Sequence, residues 1–171
     1  PTLYNCNNFS GNFKYVGSAD SIYPGFRGFL YGCKDGVFNL DCTNMHGGGS
    51  DADVTNYYNF NCITNCNNIG LTIKGSPCQA WVHPKCYSSN CNINTWYIVP
   101  GFDSMRYCNF KFYIPSHADV EKSAYYSILS NSSNCNVYFD GTNSNLYSFR
   151  NNDWNSFLFD GLNNCNLNLL L

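Results

Sequence analysis

Hydrophobic and polar residues alternate over several short stretches of the chain. An alternation with period two is typical of β-strands with one buried face. The clearest stretches each follow a cysteine closely, and the pattern therefore predicts a repeated unit in which a turn and a cysteine lead into a strand. These stretches are 92–99, 109–114, 136–139 and 166–169.

Turn-forming residues separate the stretches. Asp35-Gly36 is flanked by apolar residues and is the best candidate for a short β-hairpin. One segment departs from the strand pattern: Ser116 can cap a helix after Pro115, and apolar residues follow four apart. We therefore expect a single helix over 116–129, which would serve as a crossover between the strands on either side.

The polar composition also opposes helices. The chain has 28 Asn and ten Asp residues but only one Gln and one Glu. Asn and Asp favour turns, whereas Gln and Glu favour helices. With 27 Tyr and Phe residues as well, the sequence predicts one all-β domain over 1–171, a disulfide-stapled sandwich or barrel-like fold.

The tripeptide Asn-Cys-Asn occurs five times, centred on Cys6, Cys66, Cys91, Cys135 and Cys165. The intervals of 60, 25, 44 and 30 residues show no fixed period. A regular solenoid is therefore not indicated, and an irregular β-solenoid remains the alternative fold.

Eleven cysteines in 171 residues, without any Cys-x-x-Cys pair, favour disulfides over structural zinc. The odd number leaves one cysteine unpaired, so we expect ten of the eleven in bridges of unknown connectivity. The cysteines are Cys6, Cys33, Cys42, Cys62, Cys66, Cys78, Cys86, Cys91, Cys108, Cys135 and Cys165.

A net charge of −2 with no basic cluster excludes nucleic acid and anionic membranes as expected partners, and no apolar run is long enough for a membrane span. The cysteines, with glycosylation sequons at Asn8 and Asn131, predict a secreted or extracellular protein. Abundant Asn, Tyr, Phe and Cys with scarce Glu and Gln resemble viral spike ectodomains, which adds a virion surface to the expected locations. This resemblance is one of composition and carries no residue role.

The segment 45–53 contains His46 followed by three glycines, a pattern found in the oxyanion loops of some esterases, but no Gly-x-Ser-x-Gly nucleophile motif accompanies it. Asp51 and Asp53 are a weak candidate for a calcium site. No nucleophile-and-base set is recognisable, so we expect no catalytic residues and no cofactor other than calcium.

Thirty aromatic residues exceed the needs of a core of this size, which indicates aromatic groups at a surface. The polar loop with Arg150, Asn152, Asp153 and Trp154 is the predicted ligand-binding site, whereas Trp96, in an apolar setting, is expected to be buried. The primary hypothesis is a module that recognises a glycan or protein receptor through aromatic and Asn side chains. The alternatives are a self-assembling subunit of a fibre, coat or matrix, and a secreted hydrolase.

Overall fold

The computed structural model describes seven segments, which we call rungs 1 to 7 in chain order: 2–14, 29–41, 63–74, 87–96, 102–113, 129–142 and 159–170. Within these rungs every regular element is a β-strand. The strands are β1 (Thr2–Tyr4), β2 (Ser10–Lys14), β3 (Phe29–Tyr31), β4 (Lys34–Asp41), β5 (Ile63–Thr64), β6 (Asn67–Lys74), β7 (Asn92–Trp96), β8 (Phe102–Asp103), β9 (Asn109–Tyr113), β10 (Leu129–Ser130), β11 (Asn136–Asp140), β12 (Phe159–Asp160) and β13 (Asn166–Leu170).

All strand pairs between the rungs are parallel. A seven-stranded sheet has the order β2-β4-β6-β7-β9-β11-β13, and two three-stranded sheets have the orders β1-β3-β5 and β8-β10-β12. Each strand of the large sheet pairs with the strand of the next rung, for example Asn109 with Asn136. The rungs are therefore stacked in chain order.

The structure confirms the strand-dominated fold class but not a sandwich or barrel, because the sheets are parallel and not closed. Stacking in chain order is the arrangement expected of the irregular β-solenoid. The prediction of a hairpin at Asp35-Gly36 is wrong, because both residues lie within β4, which pairs in parallel with β2 and β6. Residues 116–128 of the expected helix lie outside the described segments, and Leu129 belongs to β10.

The core lies between the large sheet and the small sheets. Phe102 of the small sheet packs on Phe110 and Phe112 of the large sheet, with ring centroids 5.5 and 6.1 Å away. One rung further, Phe139 and Phe159 make an edge-to-face contact at 5.9 Å. Within each strand of the large sheet the inward residues are apolar in nearly every rung, which explains the alternation seen in the sequence.

A corner that contains left-handed backbone leads into the large-sheet strand of each rung, and in every rung except rung 4 it follows a described strand of a small sheet. Two residues three positions apart have positive φ in most rungs, such as Asn131 (47°) and Asn134 (54°). Asn, Asp and Gly tolerate this conformation better than other residues, which accounts for eight of the 28 asparagines. The full set is Asn5, Asn8, Gly32, Asp35, Asn65, Asn68, Asn90, Ser104, Tyr107, Asn131, Asn134, Gly161 and Asn164.

The described cysteines follow these left-handed residues and form two columns. Cys6, Cys33 and Cys66 follow the first left-handed residue in rungs 1 to 3, whereas Cys108, Cys135 and Cys165 follow the second in rungs 5 to 7. Cys91 follows Asn90, the one left-handed residue of rung 4, which is in register with the second of rung 5. The cysteine thus moves by three positions between rungs 3 and 4. The number of residues between register partners in successive rungs also varies, for example 17 from Asn92 to Asn109 and 30 from Asn136 to Asn166. Together these changes hide the period in the sequence.

These seven cysteines are free thiols in the structure, five of them buried. The framework of five disulfides is therefore not confirmed. Instead, the thiols hydrogen bond within the stack, as where the Cys66 Sγ lies 3.4 Å from the carbonyl oxygens of Leu30 and Thr64. Cys42, Cys62, Cys78 and Cys86 lie outside the described residues.

Candidate functional site

Most of the site residues expected from the sequence lie outside the described segments. These are the loop residues Arg150, Asn152, Asp153 and Trp154 and the calcium candidates Asp51 and Asp53. The two sequon asparagines, Asn8 and Asn131, are exposed and occupy left-handed corner positions. The Asn131 Nδ2 donates a hydrogen bond to Asp103 Oδ1 at 2.7 Å.

A ladder of asparagines runs along the outer face of the large sheet in rungs 4 to 7. Asn92, Asn109, Asn136 and Asn166 occupy equivalent exposed positions at the start of successive strands. Each amide nitrogen donates to the amide oxygen of the preceding rung, and all three distances are 2.9 Å. The ladder holds the amides at the spacing of the strands, about 4.8 Å.

An aromatic cluster lies beside this ladder on the same face. Trp96 and Tyr113 are register partners whose rings stack with centroids 5.1 Å apart and planes 9° apart. Tyr138 extends the cluster, with its ring 5.7 Å from that of Tyr113. We call Trp96, Tyr113 and Tyr138 the aromatic platform.

The expectation that Trp96 is buried was wrong, because its side chain is half-buried on the outer face. The signal was present in the alternation. Ile93 and Thr95 are fully buried, so residues 92, 94 and 96 must face outward on the same strand. The aromatic platform could have been found from the phase of the alternation, although not the stacking of residues from different rungs.

An open groove of about 420 Å³ follows the asparagine ladder. Lys111 and Tyr138 line it at neighbouring register positions, together with the four ladder residues and Asn168. The pKa of the Tyr138 phenol is raised, first by partial burial and then by the negative charge of Asp140. The phenol is therefore a neutral hydroxyl at physiological pH, and the groove offers amide, hydroxyl and ammonium groups.

The buried thiols are chemically shielded. Burial raises the pKa of Cys66 to about 11. Cys135 also has a raised pKa, mainly through its hydrogen bond with Cys108 and then through burial. Cys91 differs, because a hydrogen bond from Cys108 lowers its pKa. Since the thiolate is the nucleophile, thiols such as Cys66 and Cys135 are poorly reactive.

Within the seven rungs, no group of three or more His, Cys, Asp or Glu side chains is placed to hold a metal ion. The same segments contain no helix that is long and apolar enough to cross a membrane. No protein-family model matches the chain, and no curated protein is significantly similar to it.

Proposed function

We propose that the protein is an extracellular recognition module that binds carbohydrate on the outer face of rungs 4 to 7. The observation that supports this most directly is the stacked pair of Trp96 and Tyr113 beside an exposed amide ladder. The proposal keeps the ligand class expected from the sequence but moves the site from the loop near Trp154 to the sheet.

The chemistry of this face suits a sugar chain. The face of an aromatic ring packs on the C–H face of a pyranose, and an amide can both donate to and accept from hydroxyl groups. The ladder repeats at about 4.8 Å, which is close to the advance of one sugar unit in an extended chain. A glycan running across the rungs would therefore meet equivalent amides at successive units.

The rigidity of the sheet favours binding. The ladder amides are already held by hydrogen bonds to each other, and the platform rings by stacking. Groups that are ordered before binding lose less conformational entropy when the ligand arrives. A protein receptor would need a contact area of about 800 Å² on each partner, so a carbohydrate is the better match to this narrow groove.

A glycan array with the purified protein tests the proposal. We expect binding to one class of neutral or weakly charged oligosaccharide, weakened about tenfold or more in Trp96→Ala and in Tyr113→Ala, equivalent to about 1.4 kcal/mol. Tyr31→Ala is the matched control, because Tyr31 also stacks on a neighbouring tyrosine, Tyr4, but belongs to a small sheet in rung 2, away from the outer face of rungs 4 to 7. Equal binding by wild type and Trp96→Ala would overturn the proposal.

The alternative function, self-assembly, is favoured by one observation. Among the described strands, β13 ends the large sheet and pairs on one side only, and its Leu167 and Leu169 are 44 and 38% exposed at positions whose register partners are buried. Such a strand can pair with another chain. Concentration-dependent sizing separates the two functions, since a recognition module should remain monomeric. The secreted-hydrolase alternative and the extracellular location stay predictions.

A further inference from the structure

A second groove lies at the corner of rungs 3 to 5, just before the strands of the large sheet. Its volume is about 430 Å³. The residues that line it come from three successive rungs and are largely polar; they are Asn65, Cys66, Tyr87, Ser88, Ser89, Ser104 and Arg106. None of them takes part in the asparagine ladder or the aromatic platform.

Arg106 gives the corner groove a positive charge. Its side chain is exposed, and within the described rungs the guanidinium has neither an ion pair nor a hydrogen bond. None of the described residues that line the groove is acidic. A guanidinium presents a planar set of N–H donors that matches a carboxylate in a two-point contact.

The carboxylate of Asp103, close by in the same rung, already has other partners. Its Oδ1 accepts from the Ser130 hydroxyl at 2.8 Å and from the Asn131 amide at 2.7 Å. Its Oδ2 accepts from the Ser104 hydroxyl at 2.9 Å. Asp103 is therefore tied to its own neighbours in rungs 5 and 6, and the Arg106 charge is left for another anion.

Further groups in the corner groove can serve the same ligand. The Ser89 Oγ accepts a hydrogen bond from the Asn67 amide at 2.9 Å, so its own proton remains to be donated. Tyr87 is 51% exposed and offers a ring face and a hydroxyl at the rim. A cation, a hydroxyl donor and an aromatic ring together match an acidic sugar better than a bare anion.

We propose that the corner groove binds an acidic sugar, with Arg106 on its carboxylate, Ser89 donating to the same group and Tyr87 against the pyranose ring. The site is separate from the carbohydrate site on the outer face, because the two share no residue. The two proposals can therefore fail independently.

Titration of the ¹⁵N-labelled full chain with glucuronate, glucose and acetate tests this inference by NMR. We expect glucuronate to shift the amide signals of rungs 3 to 5 in the millimolar range, more weakly as salt is added. Glucose lacks the carboxylate and acetate lacks the ring, so each should bind about tenfold more weakly.

Variants at the charged position provide the decisive comparison. Arg106→Gln should weaken glucuronate binding about tenfold or more, and Arg106→Lys should retain only part of it because the two-point contact is lost. Lys34→Gln is the matched control: Lys34 is an exposed cation of the same corner column but lies outside the groove. Thermal unfolding confirms that each variant is folded.

Three outcomes would overturn the inference. Glucose binding as tight as that of glucuronate would show that the carboxylate has no role. Equal binding by Arg106→Gln and wild type would remove the residue from the site. An equal loss in Lys34→Gln would mean that overall charge, rather than the groove, attracts the ligand.

Discussion

At the scale of single residues, the corner positions show how backbone conformation selects side chains. Eleven of the thirteen described residues with positive φ are Asn, Asp or Gly, and the other two, Ser104 and Tyr107, both belong to rung 5. Tyr107 is 61% exposed, so packing of its side chain does little to offset the cost of the strained backbone. Left-handed backbone costs about 1–2 kcal/mol for a residue with an ordinary Cβ.

Replacing Tyr107 with Asn is therefore expected to stabilise the protein by about 1 kcal/mol. Urea unfolding of wild type, Tyr107→Asn and Tyr107→Ala measures the effect. Alanine is the control, since it removes the ring but retains the strain. An equal gain in Tyr107→Ala would show that the exposed ring, rather than the backbone, is the cause.

Thr95 is a second residue whose environment conflicts with its chemistry. It is fully buried on the inner face of the large sheet, and within the described rungs its hydroxyl has no hydrogen-bond partner. Thr95→Val keeps the shape and removes the unsatisfied group, so we expect a gain of about 1 kcal/mol in the free energy of unfolding. Thr72→Val is the control, because Thr72 is only half-buried on the outward-facing side of β6. No gain in Thr95→Val would imply that the hydroxyl is satisfied in solution.

At the scale of the elements, the sequence predicted the strands that follow cysteines, and β7, β9, β11 and β13 confirm them. The short strands of the small sheets, such as Leu129–Ser130, were missed because two residues contain no period. The parallel pairing was missed for a different reason. Parallel sheets are usually buried on both faces and read as continuous apolar runs, but this sheet has one exposed face and alternates like an antiparallel one.

The binding face was only partly predictable for the same reason. Alternation shows that residues 92, 94 and 96 lie on one side of a strand, but the register between rungs decides which side chains become neighbours. Trp96 meets Tyr113 through an offset of 17 residues, whereas the next rung is offset by 27. Sequence spacing does not reveal such unequal offsets.

The contact between the sheets leads to a prediction for Phe112. Its ring is fully buried and lies 5.3 Å from Phe110 and 6.1 Å from Phe102. Phe112→Ala should lower the free energy of unfolding by about 3–5 kcal/mol, because it removes contacts from both sheets and leaves a cavity. Phe112→Leu, which fills most of the space, should cost much less. Chemical denaturation measures both, and a loss below 1 kcal/mol in Phe112→Ala would contradict the packing described.

At the scale of the whole molecule, the stack behaves as a series of neighbouring rungs. Each rung pairs only with the one before and the one after, so local interfaces add up to the total stability. The two cysteine columns run through this stack and place protonated thiols in its interior. Their titration therefore links the stability of the stack to pH.

The thiols predict a loss of stability at alkaline pH. The pKa of Cys66 is raised from 9.0 to about 11 by burial. That of Cys108 is raised to about 12: its hydrogen bond with Cys135 lowers the pKa, but the hydrogen bond with Cys91 and burial outweigh it. The pKa of Cys135 is also raised, whereas that of Cys91 is lowered. Three of these four thiols therefore have a raised pKa.

Above pH 9 the unfolded chain releases these thiol protons while the folded chain retains them, so unfolding becomes more favourable as pH rises. Below pH 9 the stabilisation is fully present, and it declines between pH 9 and about 12. Each raised thiol contributes a slope of up to about 1.4 kcal/mol per pH unit. Urea unfolding under reducing conditions from pH 7 to 11 measures the decline, and Cys66→Ala should have a shallower slope than wild type. Stability that is flat from pH 9 to 11, or an unchanged slope in Cys66→Ala, would contradict a stack held together around protonated thiols.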